Sequence, residues 1–195
     1  MLSLIVLAAG MSTRMPGRNK LLVKIDGKPI IRRVVEQALS SKVEEVIVVL
    51  GWEAEKIRRT LEDLPCRFVV NKAYRKGQSS SVKTGLKEIA SGTEAILVLP
   101  GDVAMISPSS IDKVVEAYND GKNSIVVASH AGKPGHPILL SKKLFAEIEQ
   151  IDESNYGLKS VVSRHQTEVR MVETGSEEIL LDIDTPNDLK RLSNK

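Results

Sequence analysis

The sequence predicts an α/β fold in three layers, with a doubly wound, mostly parallel sheet between two layers of helices. Short apolar runs alternate with amphipathic segments along the chain, as expected where strand–helix–strand units build a parallel sheet. Several runs are apolar at every position, which is typical of strands buried on both faces. The 195 residues include no linker, internal repeat or low-complexity tract, so we expect one domain spanning residues 1–195.

The short apolar runs are the predicted strands. In open α/β sheets, ligands bind beyond the carboxyl ends of the strands, so the residues that follow each run are the candidates for a functional site. The runs cover residues 2–9, 45–50, 67–70, 95–99, 124–128, 137–140, 168–172 and 179–183.

The amphipathic segments between these runs are the predicted helices. Pro29 suits the first position of the first helix, and Thr185 with Asp188 forms the N-cap and acid of a capping box for the last one. Ser107 and Pro108 open another helix. The apolar stripes lie within residues 29–39 and 111–118, and at Ile57/Leu61/Leu64, Val82/Leu86/Ile89 and Leu158/Val161/Val162.

The composition argues against several classes of protein. A content of 42% hydrophobic and 27% charged residues is that of an ordinary globular chain. A net charge of +3 with interspersed signs is too weak for a nucleic-acid-binding surface. The single Cys66 excludes an internal disulfide and a multi-cysteine zinc site. Without a basic signal-peptide region or an apolar run of about 20 residues, we expect a cytoplasmic protein with no membrane partner.

The loop after the first predicted strand combines small residues with cations. Ala8, Ala9 and Gly10 allow backbone N–H groups to approach a ligand closely. Arg14, Arg18 and Lys20 follow within ten positions, and such cations suit a polyphosphate. The alternative is a solvated basic loop. The spacing matches neither the dinucleotide fingerprint nor the P-loop motif, which argues against a nicotinamide-dependent oxidoreductase and a P-loop ATPase.

Carboxylates follow two other predicted strands. Asp102 follows the fourth run, and Asp182 and Asp184 lie at the end of the last run, where strand alternation would place both on one side. Asp102 and one of the other two could hold Mg²⁺ together with phosphate oxygens. Equally, Asp102 could cap the next turn, and the late carboxylate could support a helix N-terminus.

Two further polar groups are candidates for substrate contacts. Asn71 and the segment containing Gln78, Ser79 and Ser80 offer donors and acceptors for a base edge or a ribose. His136 lies between Pro134 and Pro137, so we expect a rigid turn there. A histidine in such a turn is more often structural than catalytic.

Taken in order, these motifs resemble those of the MobA-like nucleotidyltransferases, and most closely the molybdenum cofactor cytidylyltransferase branch. The resemblance spans essentially the whole chain and implies a Rossmann-like fold of the nucleotide-diphospho-sugar transferase type. It implies transfer of CMP from CTP to the phosphate of molybdopterin, with release of pyrophosphate. The matching motifs are residues 7–15, 19–22, 99–102, 135–137 and 182–186, supported by residues 78–81.

The resemblance also implies roles for individual residues. Arg14 and Lys20 would contact the triphosphate, Asp102 and Asp184 would hold Mg²⁺, and His136 would lie near the acceptor. Related sequences often carry an arginine in a Gly-Asp-x-Gly-Ala-Arg stretch, for which Lys159 would substitute here. The residues that would line the nucleotide site are Leu7, Ala8, Ala9, Gly10, Asn71, Gln78, Ser79 and Ser80.

The expected chemistry needs no general base. The second pKa of a phosphate monoester is about 6, so the attacking oxygen is already an anion at neutral pH. Catalysis then depends on positioning and charge neutralisation. Two alternatives remain: a related transferase that uses GTP or another phosphorylated acceptor, and a non-catalytic nucleotide-binding accessory protein that assists a molybdenum enzyme.

Overall fold

A computed structural model describes residues 1–15, 17–121, 123–185 and 187–189. Its central sheet has seven strands in the order β5-β4-β1-β6-β8-β7-β9, and β2 and β3 form a separate two-stranded ribbon. The strands are β1 Leu2–Ala8, β2 Lys24–Ile25, β3 Lys28–Pro29, β4 Glu45–Leu50, β5 Arg67–Val70, β6 Ala95–Pro100, β7 Ile125–His130, β8 Lys133–Ser141 and β9 Val169–Glu173. The α-helices are α1 Ile30–Leu39, α2 Ala54–Leu61, α3 Gln78–Lys87, α4 Pro108–Asp120, α5 Phe145–Ile148 and α6 Leu158–Arg164.

The central sheet is mostly parallel, as predicted. β1 lies in the middle and pairs in parallel with β4 and β6, and β4 pairs in parallel with β5. β8 runs antiparallel to both of its neighbours, β6 and β7, while β7 and β9 are parallel. The carboxyl ends of β1, β4 and β6 therefore meet at one edge of the sheet.

Helices cover both faces of the sheet, which confirms the three-layer arrangement. Side chains of β1 alternate between the two layers: Leu4 and Val6 pack with residues of α1, α2 and α4, whereas Ile5 packs with residues of α3, α5 and α6. All seven residues of β1 are buried. No helix among the described residues is long and apolar enough to cross a membrane.

The prediction of an eighth strand at residues 179–183 is wrong. The segment forms a short 3₁₀ helix, Glu177–Leu180, followed by irregular chain. Ile179 and Ile183 are nevertheless buried, because they pack into the core from across β7 and β8. An apolar segment that crosses a sheet and one that pairs within it bury similar side chains, so composition does not distinguish them.

Smaller differences concern element boundaries. β8 begins at Lys133, so His136 lies inside a strand and the expected rigid turn is wrong. The β2–β3 ribbon and α5 were not predicted, and Pro29 precedes α1 as its N-cap. The capping box before the last helix is confirmed: the Asp188 carboxylate accepts the Thr185 N–H at 2.8 Å, and the Asp188 N–H donates to Thr185 Oγ1 at 3.4 Å. Pro186 and residues 190–195 lie outside the described residues.

Candidate active site

The loop after β1 folds back so that Lys20 points toward the end of the sheet. Ser12 adopts a left-handed conformation with φ of 51°, and its Oγ accepts the Lys20 backbone N–H at 3.1 Å. Asn19 Oδ1 accepts the Leu21 N–H at 3.1 Å and so caps the 3₁₀ turn Lys20–Leu22. These two side-chain contacts fix the backbone on both sides of Lys20.

Four charged side chains converge beyond the carboxyl ends of β1 and β6. Lys20 Nζ donates to Asp102 Oδ2 and, at 2.8 Å, to Asp184 Oδ1. Arg14 contacts Asp184 Oδ2 at 2.9 Å. The side chains of Lys20 and Asp102 are only 16% and 13% exposed, whereas that of Arg14 is 67% exposed. The sequence prediction that the loop after β1 and Asp102 meet in space is therefore confirmed in geometry, and the binding roles of these residues stay predictions.

The electrostatics of this cluster keep Lys20 charged. Burial alone would lower the pKa of Lys20, but the carboxylates of Asp102 and Asp184 outweigh it and raise the pKa above its ordinary value. Asp182 behaves differently, because burial together with repulsion from Asp102 and Asp184 raises its pKa to about 6. Of the two late aspartates, Asp184 is the one in direct contact with Lys20.

The same carboxylates suit a divalent cation. Asp102 Oδ1 is buried and has no hydrogen-bond partner among the described residues, although a buried carboxylate oxygen ordinarily needs one. Asp102 and Asp184 already share one positive group, the Lys20 ammonium. Mg²⁺ commonly takes one or two protein carboxylates and fills its remaining positions with phosphate oxygens and water. No cluster of three or more His, Cys, Asp or Glu ligands occurs in the described part of the chain.

A cavity of about 120 Å³ opens beside this cluster, lined by Gly10, Ser12, Thr13, Arg14, Lys20 and Asp184. Of the four predicted nucleotide contacts at residues 7–10, only Gly10 reaches it and is exposed. The side chains of Leu7, Ala8 and Ala9 are buried. The Ala9 carbonyl accepts the Trp52 N–H at 3.2 Å. Any ligand contact from these three residues must therefore come from the backbone.

The two polar groups predicted to contact substrate, Asn71 and residues 78–80, are held together largely by hydrogen bonds within the protein. Asn71 is buried, and its Nδ2 donates to Ser80 Oγ at 2.8 Å and to Ser81 Oγ at 3.0 Å. Gln78 is exposed at the first turn of α3. The Ser79 N–H donates to Glu153 Oε1 at 2.6 Å. Asn71 thus fixes the start of α3, and its predicted contact with a nucleotide is not tested by this geometry.

Glu153 lies beside the predicted substrate-contact residues 78–80, and the sequence did not indicate this position. Its carboxylate covers the N-terminus of α3, and its side chain packs so closely on Gly77 that a Cβ there would lie 2.3 Å from Glu153 Cγ. The contact joins residues 74 positions apart. No local sequence signal could have revealed it.

His136 lies close enough to Asp102 for that carboxylate to influence its pKa. Burial lowers the pKa of His136, and the negative charge of Asp102 opposes the shift only in part. The imidazole is therefore neutral at pH 7, and its buried Nδ1 has no partner among the described residues. Lys159, the predicted substitute for the arginine of related sequences, lines a different cavity. This cavity is an open groove of about 380 Å³, which Lys159 lines with Tyr156, Ser160, Ser163 and Arg164.

With this geometry in view, the family can be assigned. The family model of the MobA-like NTP transferase domain matches residues 4–169. The chain belongs to the MobA-like NTP transferase family. The molybdenum cofactor cytidylyltransferase of Escherichia coli is 30% identical over 186 residues, which cover 94% of this chain and 91% of that protein. The probable molybdenum cofactor guanylyltransferase of Thermococcus sibiricus is 29% identical over 195 residues, covering 96% and 95%.

Other relatives are longer. The bifunctional protein GlmU of Buchnera aphidicola is 33% identical over 155 residues, which are 78% of this chain but 33% of that protein. This MobA-like chain thus matches about a third of the length of such relatives. Among solved structures, a nucleotidyl transferase from Methanothermobacter thermautotroptrophicus superposes with a TM-score of 0.85 at 24% identity, covering 100% of this chain and 96% of the other. That likeness agrees with the nucleotide-diphospho-sugar transferase type of fold.

Proposed function

We propose that this chain transfers CMP from CTP to the phosphate of molybdopterin and releases pyrophosphate. The observation that carries the proposal is the convergence of Lys20 and Arg14 with Asp102 and Asp184 beyond the ends of β1 and β6. Cations and acidic metal ligands gathered around one cavity are what a metal-bound triphosphate requires.

In this proposal the chain's own residues bind and neutralise the phosphates. Lys20 stays protonated at neutral pH because its pKa is raised, so it supplies a fixed positive charge where charge develops in the transition state. Arg14, which is more exposed, would bind phosphate oxygens at the mouth of the cavity. Asp102 and Asp184 would hold Mg²⁺, which when bound neutralises the triphosphate and the departing pyrophosphate.

The proposed reaction balances without a proton acceptor. An anionic oxygen of the acceptor phosphate forms a bond to the α-phosphorus of CTP. The bond from that phosphorus to the oxygen of pyrophosphate breaks at the same time, and pyrophosphate leaves as an anion. His136 is neutral and is assigned to contact with the acceptor, not to proton abstraction, because the attacking oxygen is already ionised.

The choice of CTP and molybdopterin draws on the relatives. The cytidylyltransferase of Escherichia coli matches almost the full length of both chains. GTP is the second candidate donor, because the Thermococcus sibiricus relative with similar coverage is named a guanylyltransferase. We further propose a cytoplasmic location, where nucleoside triphosphates are available, and a molybdenum enzyme as the recipient of the product.

The test measures pyrophosphate after the protein is incubated with Mg²⁺, molybdopterin and each of the four ribonucleoside triphosphates in turn. Release with CTP alone supports the proposal, and release with GTP alone transfers it to the second candidate. Release that does not depend on molybdopterin would contradict the proposed acceptor. Nucleotide binding without release under any condition would favour a non-catalytic accessory protein.

A further inference from the structure

The segment after β9 carries Asp184 back across the sheet, and we call residues 174–184 the C-terminal strap. It begins where the Thr174 N–H donates to the Ser129 carbonyl at 2.9 Å. It ends where the Ile183 N–H donates to the Asp102 carbonyl at 3.2 Å. No residue of the strap belongs to a strand of the sheet. Its position therefore depends on a few individual contacts.

Glu178 makes the densest of these contacts. Its Oε1 accepts three hydrogen bonds, from the Ser107 N–H at 3.0 Å, the Ser107 hydroxyl at 2.5 Å and the Ser110 hydroxyl at 2.8 Å. Ser107 is the N-cap of α4, so the carboxylate also lies at the positive end of a 13-residue helix. A buried serine, Ser110, completes the contact.

Buried apolar residues hold the part of the strap between Glu178 and Asp184. Ile179 is buried against Gly135, where a Cβ would lie 2.4 Å from the Ile179 carbonyl oxygen. Ile183 is also buried and is tied to the backbone of Asp102. The strap is thus held at Glu178, at Ile179 and at Ile183, immediately before Asp184 reaches Lys20 and Arg14.

We infer that Glu178 is a positioning residue for the proposed metal site, acting by clamping the strap to α4 so that Asp184 faces Asp102. Within the described residues, the hydrogen bonds of the Glu178 carboxylate go to Ser107 and Ser110 and not to Lys20 or Asp102, so its effect passes through Asp184. The inference rests on the proposed function, because it assumes that Asp184 binds the metal. Residues that orient metal ligands typically change metal affinity or activity by about 10- to 100-fold when removed.

The experiment measures Mn²⁺ binding in the presence of CTP and without acceptor, as the loss of the electron paramagnetic resonance signal of the free ion beyond the loss that CTP causes without protein. The variants are Glu178→Ala, Glu178→Gln and Asp184→Ala, each checked for folding by circular dichroism. We expect Glu178→Ala to weaken Mn²⁺ binding about 10-fold. Glu178→Gln keeps an acceptor oxygen for Ser107 and Ser110, so it should stay within about 3-fold of the unaltered protein.

Glu173→Ala is the matched control. Glu173 directly precedes the strap and accepts the backbone N–H groups of Ala131 and of Gly175, which is the second residue of the strap, so its loss tests general loosening of this region. We expect Mn²⁺ binding by this variant to be unchanged. If Glu173→Ala weakens binding as much as Glu178→Ala does, the effect is not specific to the clamp and the inference is overturned.

Failure of the inference and failure of the proposed function give different results. If Asp184→Ala loses Mn²⁺ binding while Glu178→Ala binds normally, the positioning role is wrong and the metal site stands. If Asp184→Ala binds Mn²⁺ normally, the proposed metal ligand itself is wrong. Should Glu178→Ala not fold, Ser110→Ala removes one of the three donors from the other side of the contact, and a 2- to 3-fold loss is expected; unchanged binding there would overturn the inference.

Discussion

The two carboxylates that face Lys20 reach it by different routes. Asp102 follows β6, a buried strand paired in parallel with the central strand β1. Asp184 arrives on the C-terminal strap, which crosses the sheet and is held by the Glu178 carboxylate, apolar packing and single backbone hydrogen bonds. Backbone pairing positions one half of the site, and individual anchors position the other. The first half therefore follows from the order of strands, whereas the second half depends on residues far from the site.

Neutralising each carboxylate gives the largest expected effect and tests whether the two halves contribute equally. Asp102→Asn and Asp184→Asn should each lower the turnover of pyrophosphate release about 10²- to 10³-fold, comparable to the loss of one electrostatic group in an active site. Asp63→Asn, at an exposed carboxylate that pairs with Arg32, is the control and should keep full turnover. A large loss of turnover in Asp102→Asn together with no loss in Asp184→Asn would contradict the claim that both halves of the site contribute.

The difference between the halves also explains what the sequence could predict. The strands β1, β4 and β6 are buried along almost their whole length, so their apolar runs were recognisable. Because the carboxyl ends of parallel strands meet at one edge, the meeting of Lys20 with Asp102 could be predicted as well. Arg14 and the pair Asp182 and Asp184 were candidates from the residues themselves, and the resemblance to MobA-like sequences favoured Asp184, which the structure brings to the same cluster as Arg14.

The parts that could not be predicted depend on long-range contacts. Residues 179–183 look like a strand because Ile179 and Ile183 are apolar, yet tertiary packing across β7 and β8 decides their conformation. Glu153 and Glu178 bond to groups 74 and 71 positions away. A glutamate in a polar segment carries no local sign of such a partner.

Adding a methyl group at Gly135, where the strap packs, is expected to have the next largest effect, on the free energy of unfolding. Gly135→Ala would place a Cβ 2.4 Å from the Ile179 carbonyl oxygen, and overpacking of this kind costs about 1–3 kcal/mol of unfolding free energy. Gly10→Ala is the matched control, because nothing lies within 4 Å of a Cβ there, and it should change stability by less than about 0.5 kcal/mol. Urea unfolding of both variants measures this. Equal stabilities would mean that the strap adapts freely at Gly135.

Arg14 should matter less than the buried members of the cluster. Its side chain is 67% exposed and its contact with Asp184 is a surface ion pair. Arg14→Ala is expected to raise the KM for the nucleoside triphosphate about tenfold, equivalent to about 1.4 kcal/mol, and to change kcat less. Arg67→Ala removes an ion pair of Glu45 at the opposite end of the sheet and should leave KM unchanged. A kcat loss from Arg14→Ala as large as that from Asp184→Asn would contradict this ranking.

The smallest predicted effect lies outside the site, at His165. Its ring contacts Glu147 at 2.8 Å and Glu168 at 3.0 Å, and hydrogen bonds to both carboxylates raise the pKa of His165 above 6.5. The folded state therefore favours the protonated ring. This stabilisation is fully present below the pKa that His165 has in the unfolded chain. It is lost as the pH rises through the raised pKa that His165 has in the folded chain.

The contribution of His165 should be under about 1 kcal/mol, because the groups are partly exposed. It is measured as the difference in unfolding free energy between the unaltered protein and His165→Gln across a pH series from 5 to 9. The unaltered protein should be the more stable at acidic pH, and the difference should shrink as pH rises. A difference that does not depend on pH would contradict the assigned protonation.

The measurement that bears most directly on the account is pyrophosphate release by Lys20→Ala under saturating Mg²⁺, CTP and molybdopterin. Lys20 joins both halves of the site, since its ammonium contacts Asp102 and Asp184 together. Its loss should lower turnover by about two to four powers of ten, while circular dichroism shows a folded protein. Full turnover in a folded Lys20→Ala variant would contradict the claim that this lysine and the two aspartates bind one triphosphate.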